Sequence, residues 1–269
     1  MGVCVLLSCM HQKDDSIVER TNIQTDVVIV NQCDENSQTE RCFENRKGRK
    51  CHVMFINTTE RGLSRSRNLA IRHATQPICL LCDDDEFLET DYEEKIQQAY
   101  LDNAGMGCIL FMINRNDLPT PKVYPATARR VGFKQMMQSS SVQITFLHEK
   151  IKHYGILFDT MLGSGTGNGA GEENKFLLDI KRKKIGVYYV PQTIGTVLPG
   201  NSLWFNGLTD KYMRNQGWSS RRSLGNVKGM FYILFFWFRH IDMIKKEMPV
   251  LKGLKCLMQG FFETRVEKD

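Results

Sequence analysis

Short, unbroken apolar runs alternate with polar, charge-rich segments through the first half of the chain. Gly2–Cys9, Asp26–Val30, His52–Ile56, Ile78–Cys82 and Gly107–Ile113 are too short for typical helices and lack a polar face, so each predicts a strand covered on both sides. Between the third and fourth, Leu63, Ser66, Ala70 and Ala74 recur on one helical face. Strands alternating with helices predict an α/β fold with a doubly wound, mostly parallel central sheet. Later in the chain, Lys134–Phe146 reads as helix or strand, Ile156–Phe158 as a short strand, Glu172–Lys183 as a helix and Val187–Val190 as a strand. Asn201–Ser219, rich in aromatics and Gly, reads as irregular, and Met230–Phe238 is strongly apolar.

In a doubly wound sheet the ligand lies beyond the carboxyl ends of the strands. The segments there are NQCDEN, NTTERGLSRSRN and DDDEFLET, all polar. Asp83, Asp84 and Asp85 follow a buried strand, where three adjacent carboxylates repel each other more than they would in open water. Helix capping does not account for them, because Thr90-Asp91-Tyr92-Glu93 predicts a capping box with Thr90 as N-cap and Glu93 reaching back. A divalent cation relieves the repulsion, and hard carboxylate oxygens suit Mg2+ or Mn2+. Such an ion completes its shell with substrate phosphates, which implies a diphosphate ligand.

Two further elements fit an anionic ligand. Gly62 precedes a helix whose first turn offers free N–H groups beside Ser64, Arg65 and Arg67. Gly163–Gly171 holds five glycines in nine residues, a loop able to close over a ligand, and Glu172 and Glu173 then open a helix. Acids are favoured in a first helical turn, which explains one of the pair more readily than both.

Composition narrows the class. With 42% hydrophobic and 25% charged residues and only seven prolines, the 269-residue chain is globular and long enough for a sizeable core. The N-terminus lacks a basic n-region and a small-residue cleavage site, so its apolar run reads as a strand. Nine scattered cysteines, several inside apolar runs, read as reduced thiols of a cytoplasmic protein, and Cys79-x-x-Cys82 has no partner pair for a zinc site. The net charge of +6 is uneven: from Lys211 onward, twelve Lys and Arg face five Asp and Glu, leaving the first 210 residues at −1.

Together these features resemble the GT-A fold glycosyltransferases of family 2, found in bacterial capsule, exopolysaccharide and O-antigen synthesis. The resemblance covers residues 1–210 and leaves 211–269 as a basic, partly apolar helical extension. RGLSRSRN is similar to the family's GLSxARN, LLCDDDE to its FLDADD, and GAGEENKF to its GEDxxF. The resemblance implies a metal-dependent, inverting transfer of a sugar from a nucleotide-diphosphate sugar to a hydroxyl of a glycan or lipid-linked acceptor. It makes Asp85 the metal ligand and Asp83 a contact to the ribose or the metal shell, with Asp84 in the variable middle place. Ser8, Met10 and Asp34 would line the base pocket, and Arg67 and Asn68 would lie near the nucleotide and diphosphate. Glu173 stands where many relatives carry an aspartate base, so it or Glu172 takes the acceptor's proton. Many relatives also supply a late histidine to the metal; QTIGTVLPGNSLWF, after Pro191, contains none.

The tail interleaves apolar residues with Lys245, Lys246, Lys252 and Lys255. Residues 225–269 suit an amphipathic segment on an anionic membrane surface, at the inner face of the cell membrane, and equally a pair of helices packed on the main domain. Met230–Phe238 is too short to span a bilayer. The rival functions are a nucleotidyltransferase, which would want an early basic phosphate loop that Ser8–Gln12 does not provide, and a nucleotide-sugar-binding module without turnover. Nucleic-acid binding fits least, because the tail's aromatics form one apolar run and are not interleaved with its basic residues.

Overall fold

The computed structural model describes residues 1–116, 122–199 and 207–267. Its elements, in chain order, begin with β1 (Val3–Met10), α1 (Ile17–Arg20), β2 (Asp26–Gln32), β3 (Ser37–Glu44), β4 (Lys50–Thr58), α2 (Leu63–His73) and β5 (Ile78–Asp83). There follow β6 (Glu86–Leu88), α3 (Tyr92–Asp102), β7 (Met106–Arg115), β8 (Arg129–Arg130), α4 (Phe133–Met136), β9 (Ile144–Leu147), α5 (His148–His153), α6 (Glu172–Arg182) and β10 (Gly186–Val197). Helices α7 (Asp210–Arg239), α8 (Ile241–Glu247) and α9 (Val250–Phe262) complete the described chain.

The sheet order is β3-β4-β2-β1-β5-β9-β7-β10-β6. β4, β2, β1 and β5 run parallel, as do β7 and β10, while β3, β9 and β6 are antiparallel to their neighbours. The sheet is mixed and mostly parallel, flanked by helices, with a helical C-terminal region.

The unbroken apolar runs are explained by burial on both faces. Along β1, Val3, Val5, Leu7 and Cys9 enter the core shared with Ile17 of α1 and Tyr92 and Ile96 of α3. Cys4 and Leu6 enter the opposite core, with Ala70 and Ile71 of α2 and Phe176 and Ile180 of α6. Cys79 and Cys82, three apart on β5, likewise fall on opposite faces. The nine cysteines are all free, seven of them buried.

Several local expectations change. β3, with no apolar pattern and almost wholly exposed, pairs as an edge strand on β4 and was invisible to hydrophobic periodicity. Lys134–Phe146 divides into the end of α4, a 3-10 turn at Ser141–Gln143 and the start of β9. Ile156–Phe158 is irregular, held by Phe158 N–H donating to Asn68 Oδ1 at 2.8 Å. The Thr90 capping box does not form: Asp91 is the N-cap of α3, Thr90 accepts from Arg46, and Glu93 accepts two bonds from Arg49 at 2.8 Å each. α3 still begins beyond the aspartates, so they do not cap it. Of Asn201–Ser219, residues 201–206 lie outside the described residues, and from Asp210 the chain is helical rather than irregular.

Helix α7 breaks at Gly225, whose φ of 78° and ψ of −178° leave the helical region. Its second half folds back on its first, since a Cβ on Gly229 would lie 3.0 Å from the Ser220 carbonyl oxygen. α9 packs along the first half so closely that a Cβ on Gly217 or Gly260 would meet backbone within about 2 Å. Met213, Ile233, Phe236 and Leu257 fill the space between these helices.

Candidate active site

The carboxyl ends of β1 and β5 lie side by side, with Ser8 opposite Asp83 in register. Asp84 and Asp85 form the turn between β5 and β6, and the Asp85 carbonyl accepts the Leu198 N–H at 2.8 Å. Behind them is α2. Its N-cap, Gly62, has φ of 118° and donates its N–H to Gln32 Oε1 at 2.7 Å, joining the ends of β2 and β4.

From α2, Arg67 points inward and its side chain is 2% exposed. Its guanidinium donates to Asp83 Oδ1 and Oδ2 at 3.0 and 3.2 Å and to Glu172 Oε1 at 3.2 Å. Phe158 lies 5.5 Å from it and stacks on Phe176 of α6, ring centroids 4.2 Å apart. Burial works against the charge on Arg67, but Asp83, Glu172 and Glu173 outweigh it and hold the group above its ordinary value. One buried arginine thus joins an acid at a strand end to an acid about ninety residues later.

Asp83 also accepts the Ser141 hydroxyl at 3.2 Å, so both of its oxygens are engaged. Asp84 and Asp85 differ. Desolvation and the charge of Asp83 raise both, and Asp84 acts further on Asp85, which reaches about 6. Glu86 follows, buried, with both carboxylate oxygens lacking a hydrogen-bond partner. Burial, then Asp83 and Asp85, push it well above the usual carboxylate range. The cluster carries more negative potential than the protein neutralises, and its donors are hard oxygens, so a divalent cation fits here. Among the described residues no three His, Cys, Asp or Glu side chains converge on one point, so such an ion would draw most of its ligands from elsewhere.

The two glutamates of α6 are also unequal. Glu172 is buried between Arg67 and its own loop, with Oε2 accepting the Gly171 N–H at 3.0 Å. Glu173 is half-buried as a residue, but its Oε2 is shut off from solvent and has no partner. Desolvation and then the Glu172 charge raise it well above the ordinary range, with Arg67 opposing. Burial and then Arg115 lower Lys122 to about 8, with Glu173 opposing, and the lysine's Nζ donates to Gln143 Oε1 at 2.8 Å.

The residues expected around a base divide three ways. Ser8 is buried and shares a 3.1 Å hydrogen bond with Ser66. Met10 is 47% exposed at the strand's end, and Asp34, still more exposed, pairs with Arg61 at 2.5 Å. Asn68 faces away from the acids, its amide donating to Phe158 O at 2.9 Å while its oxygen accepts from Phe158 N–H. Arg67 is likewise committed to carboxylates rather than to open solvent.

Sequence reading missed Asn31, whose amide donates to Gln12 O at 2.8 Å and to Asn57 Oδ1 at 2.7 Å, tying the loop after β1 to the carboxyl ends of β2 and β4. It also missed Ser141, Glu86 and Lys122. Glu86 could have been noticed from its place beside three aspartates; Ser141 and Lys122 sit in segments with no clear period.

The profile described as glycosyl transferase family 2 matches residues 10–154, more than half of the chain, and spans the aspartates and α2. The chain belongs to glycosyl transferase family 2. It is therefore a glycosyltransferase, and of the rival readings the nucleotidyltransferase and the module without turnover fall away. No curated protein matches it by sequence. Among solved structures, it is similar to residues 1–349 of S. aureus TarS, with a TM-score of 0.62 at 13% identity over 97% of this chain and 81% of that one. S. aureus TarS in complex with UDP-GlcNAc gives a TM-score of 0.61 at 16% identity, covering 97% and 82%. The mannosyltransferase PcManGT from Pyrobaculum calidifontis, in complex with GDP-Man and Mn2+, gives 0.55 at 13% identity, covering 96% and 73%. At these identities the likeness is one of fold, and that fold is the GT-A arrangement of family 2 enzymes. No helix among the described residues is long and apolar enough to cross a membrane.

Proposed function

We propose that this glycosyltransferase moves a sugar, with inversion, from a nucleotide-diphosphate sugar to a hydroxyl of a glycan or lipid-linked acceptor in surface polysaccharide synthesis, with Mn2+ or Mg2+ as cofactor. The observation that carries the reading is the link from Asp83 through Arg67 to Glu172, which brings the strand-end acids and the glutamates of α6 to one locus. Solved structures of similar fold hold UDP, UDP-GlcNAc, and GDP-Man with Mn2+, which supports a nucleotide-sugar donor. We take residues 1–210 as the transferase domain and 211–269 as its extension.

In this reading Asp85, with Asp84 beside it, holds the cation, which when bound neutralises the diphosphate leaving group. Asp83, already paired with Arg67, keeps the arginine's charge close to the diphosphate and orients the turn. Ser8, Met10 and Asp34 border the nucleotide. Glu173 in its ionised form takes the acceptor's proton: its Oε2 has no partner, whereas both oxygens of Glu172 are engaged, by Arg67 and by the Gly171 N–H. Incubating the protein with a panel of nucleotide sugars, with and without Mn2+, and measuring release of nucleoside diphosphate tests the proposal. Release that ignores the metal would refute the cofactor assignment.

The same reading puts the enzyme in the cytoplasm, at the inner face of the membrane. On the second half of α7, Val227, Phe231, Leu234, Phe235 and Phe238 share one helical face and are 41% to 72% exposed. Exposed Lys228 and Arg239 flank them. A second copy of the chain would bring two strongly basic tails together, whereas an anionic bilayer complements both the apolar face and the charge.

A further inference from the structure

The Gly-rich loop beside Glu172 is held from two sides. Gly163, Gly165, Gly167, Gly169 and Gly171 all have positive φ, from 75° to 109°. Such a segment is mobile when unfolded and loses much entropy on ordering, so its position depends on external contacts. On the inner side, the Leu63 N–H at the start of α2 donates to Ser164 O at 3.0 Å, and Gly163 N–H closes on Gly169 O at 2.9 Å. A Cβ on Gly165 would lie 3.1 Å from Gly62 Cα.

The outer side is held by α7 and by the segment after α9. A Cβ on Gly169 would come within 2.9 Å of Asn215 Cβ, so the loop backbone rests directly on α7. Arg265 Nη1 donates to Asn215 Oδ1 at 2.8 Å and, at 3.4 Å, to Asn168 O and Oδ1 in the loop. Its Nη2 meets Glu263 at 2.9 Å, and its guanidinium lies 5.1 Å from the Trp218 ring. The side chain is 12% exposed, an unusual degree of burial for an arginine. Trp218 in turn packs on Met161 and Leu162, which lead into the loop. Two residues on, Glu267 pairs with Arg65 of α2 at 3.0 Å.

We propose that Arg265 is a positioning residue for the Gly-rich loop. Its Nη1 joins Asn168 of the loop to Asn215 of α7 and fixes where the loop sits at the start of α6, from a segment beyond residues 10–154. Its consequence for donor binding rests on the sugar-transfer reading; the ordering of the loop does not.

Hydrogen exchange on the full chain tests it. In Arg265→Ala, amides of 163–171 exchange about tenfold faster while those of β1, β2 and β5 keep their rates, because one local tie is lost. Arg265→Lys, whose single ammonium can take over the Nη1 contacts but not the Nη2 contact to Glu263, falls between the wild-type and alanine rates. Should Arg265→Ala not fold, Asn168→Ala removes the loop's side-chain contact and is expected to loosen the same amides by a smaller factor. Unchanged protection of 163–171 overturns the proposal, and so does a rise spread equally over α7, α9 and the loop, which marks general destabilisation. In a parallel titration with Mn2+ and UDP, and with Mn2+ and GDP, the alanine variant is expected to bind the preferred nucleotide about tenfold more weakly. A wild-type protein that binds neither nucleotide counts against the donor reading, while exchange alone decides the role of Arg265.

Discussion

Arg67 donates to both carboxylate oxygens of Asp83 while its other terminal nitrogen reaches Glu172, and it does so almost wholly out of solvent. A buried charge network of this kind is dangerous to break, because removing one member strands the others. Arg67→Met is therefore expected to lower stability by about 3–5 kcal/mol. Urea unfolding measures it. Adding Asp83→Asn to that variant should cost less than the sum of the two single changes, since the stranded charge is then gone. Strictly additive values would mean that the pair does not interact.

Glu173 gives a dependence on pH with a definite sign. Its folded-state pKa lies well above the ordinary 4.5 through desolvation and the Glu172 charge. The native state therefore holds a proton that the unfolded chain has released once pH passes the ordinary value. Stability from this group is complete below about pH 4.5 and declines as pH rises toward the raised value. Glu173→Gln removes that decline and should collapse turnover while leaving nucleotide binding nearly intact. Denaturation midpoints of both proteins across acid to neutral pH, paired with turnover, check it; parallel stability curves or undiminished turnover would sink the assignment.

How much of this was legible in the chain depended on whether a residue's neighbours were local. β1, β2, β4, β5 and α2 could be read because their apolar runs or faces report burial directly. β3 could not, since an exposed edge strand is stabilised by backbone pairing with β4 and leaves no apolar signature. Thr90 and Glu93 matched a capping pattern, yet Arg46 and Arg49 from the β3–β4 turn took both side chains, a tertiary contact overriding a local one. The aspartates and glutamates announced themselves. The inward turn of Arg67 did not, because arginines on a helix are ordinarily solvent-facing and only the folded chain brings Glu172 beneath this one.

Asp85 makes cation binding sensitive to acid. With its carboxyl pushed up to about 6 by burial and by Asp83 and Asp84, protons compete with a metal below that pH. Mn2+ affinity in the presence of nucleoside diphosphate is expected to fall about tenfold per pH unit below 6 for one competing proton. Asp85→Asn should weaken metal and donor together at every pH. Calorimetric titrations at several pH values distinguish these outcomes, and an affinity that does not change with pH would show that Asp85 is not a ligand.

The exposed face of α7 supplies the last test. Phe231, Phe235 and Phe238 are 62% to 72% exposed, and burying a phenylalanine side chain contributes on the order of 1.5–3 kcal/mol. Three of them entering a bilayer interface would outweigh the modest attraction of Lys228 and Arg239 to anionic lipid, about 1 kcal/mol each. Wild-type protein should float with phosphatidylglycerol vesicles and far less with phosphatidylcholine alone. Replacing the three phenylalanines with serine should abolish flotation without loss of fold, because these rings are not part of the α7–α9 core. Replacing only Lys228 and Arg239 with glutamine should weaken binding and reduce the preference for anionic lipid. If the serine variant instead remained bound while wild-type protein proved dimeric and the variant monomeric in solution, the face would belong to a second copy of the chain.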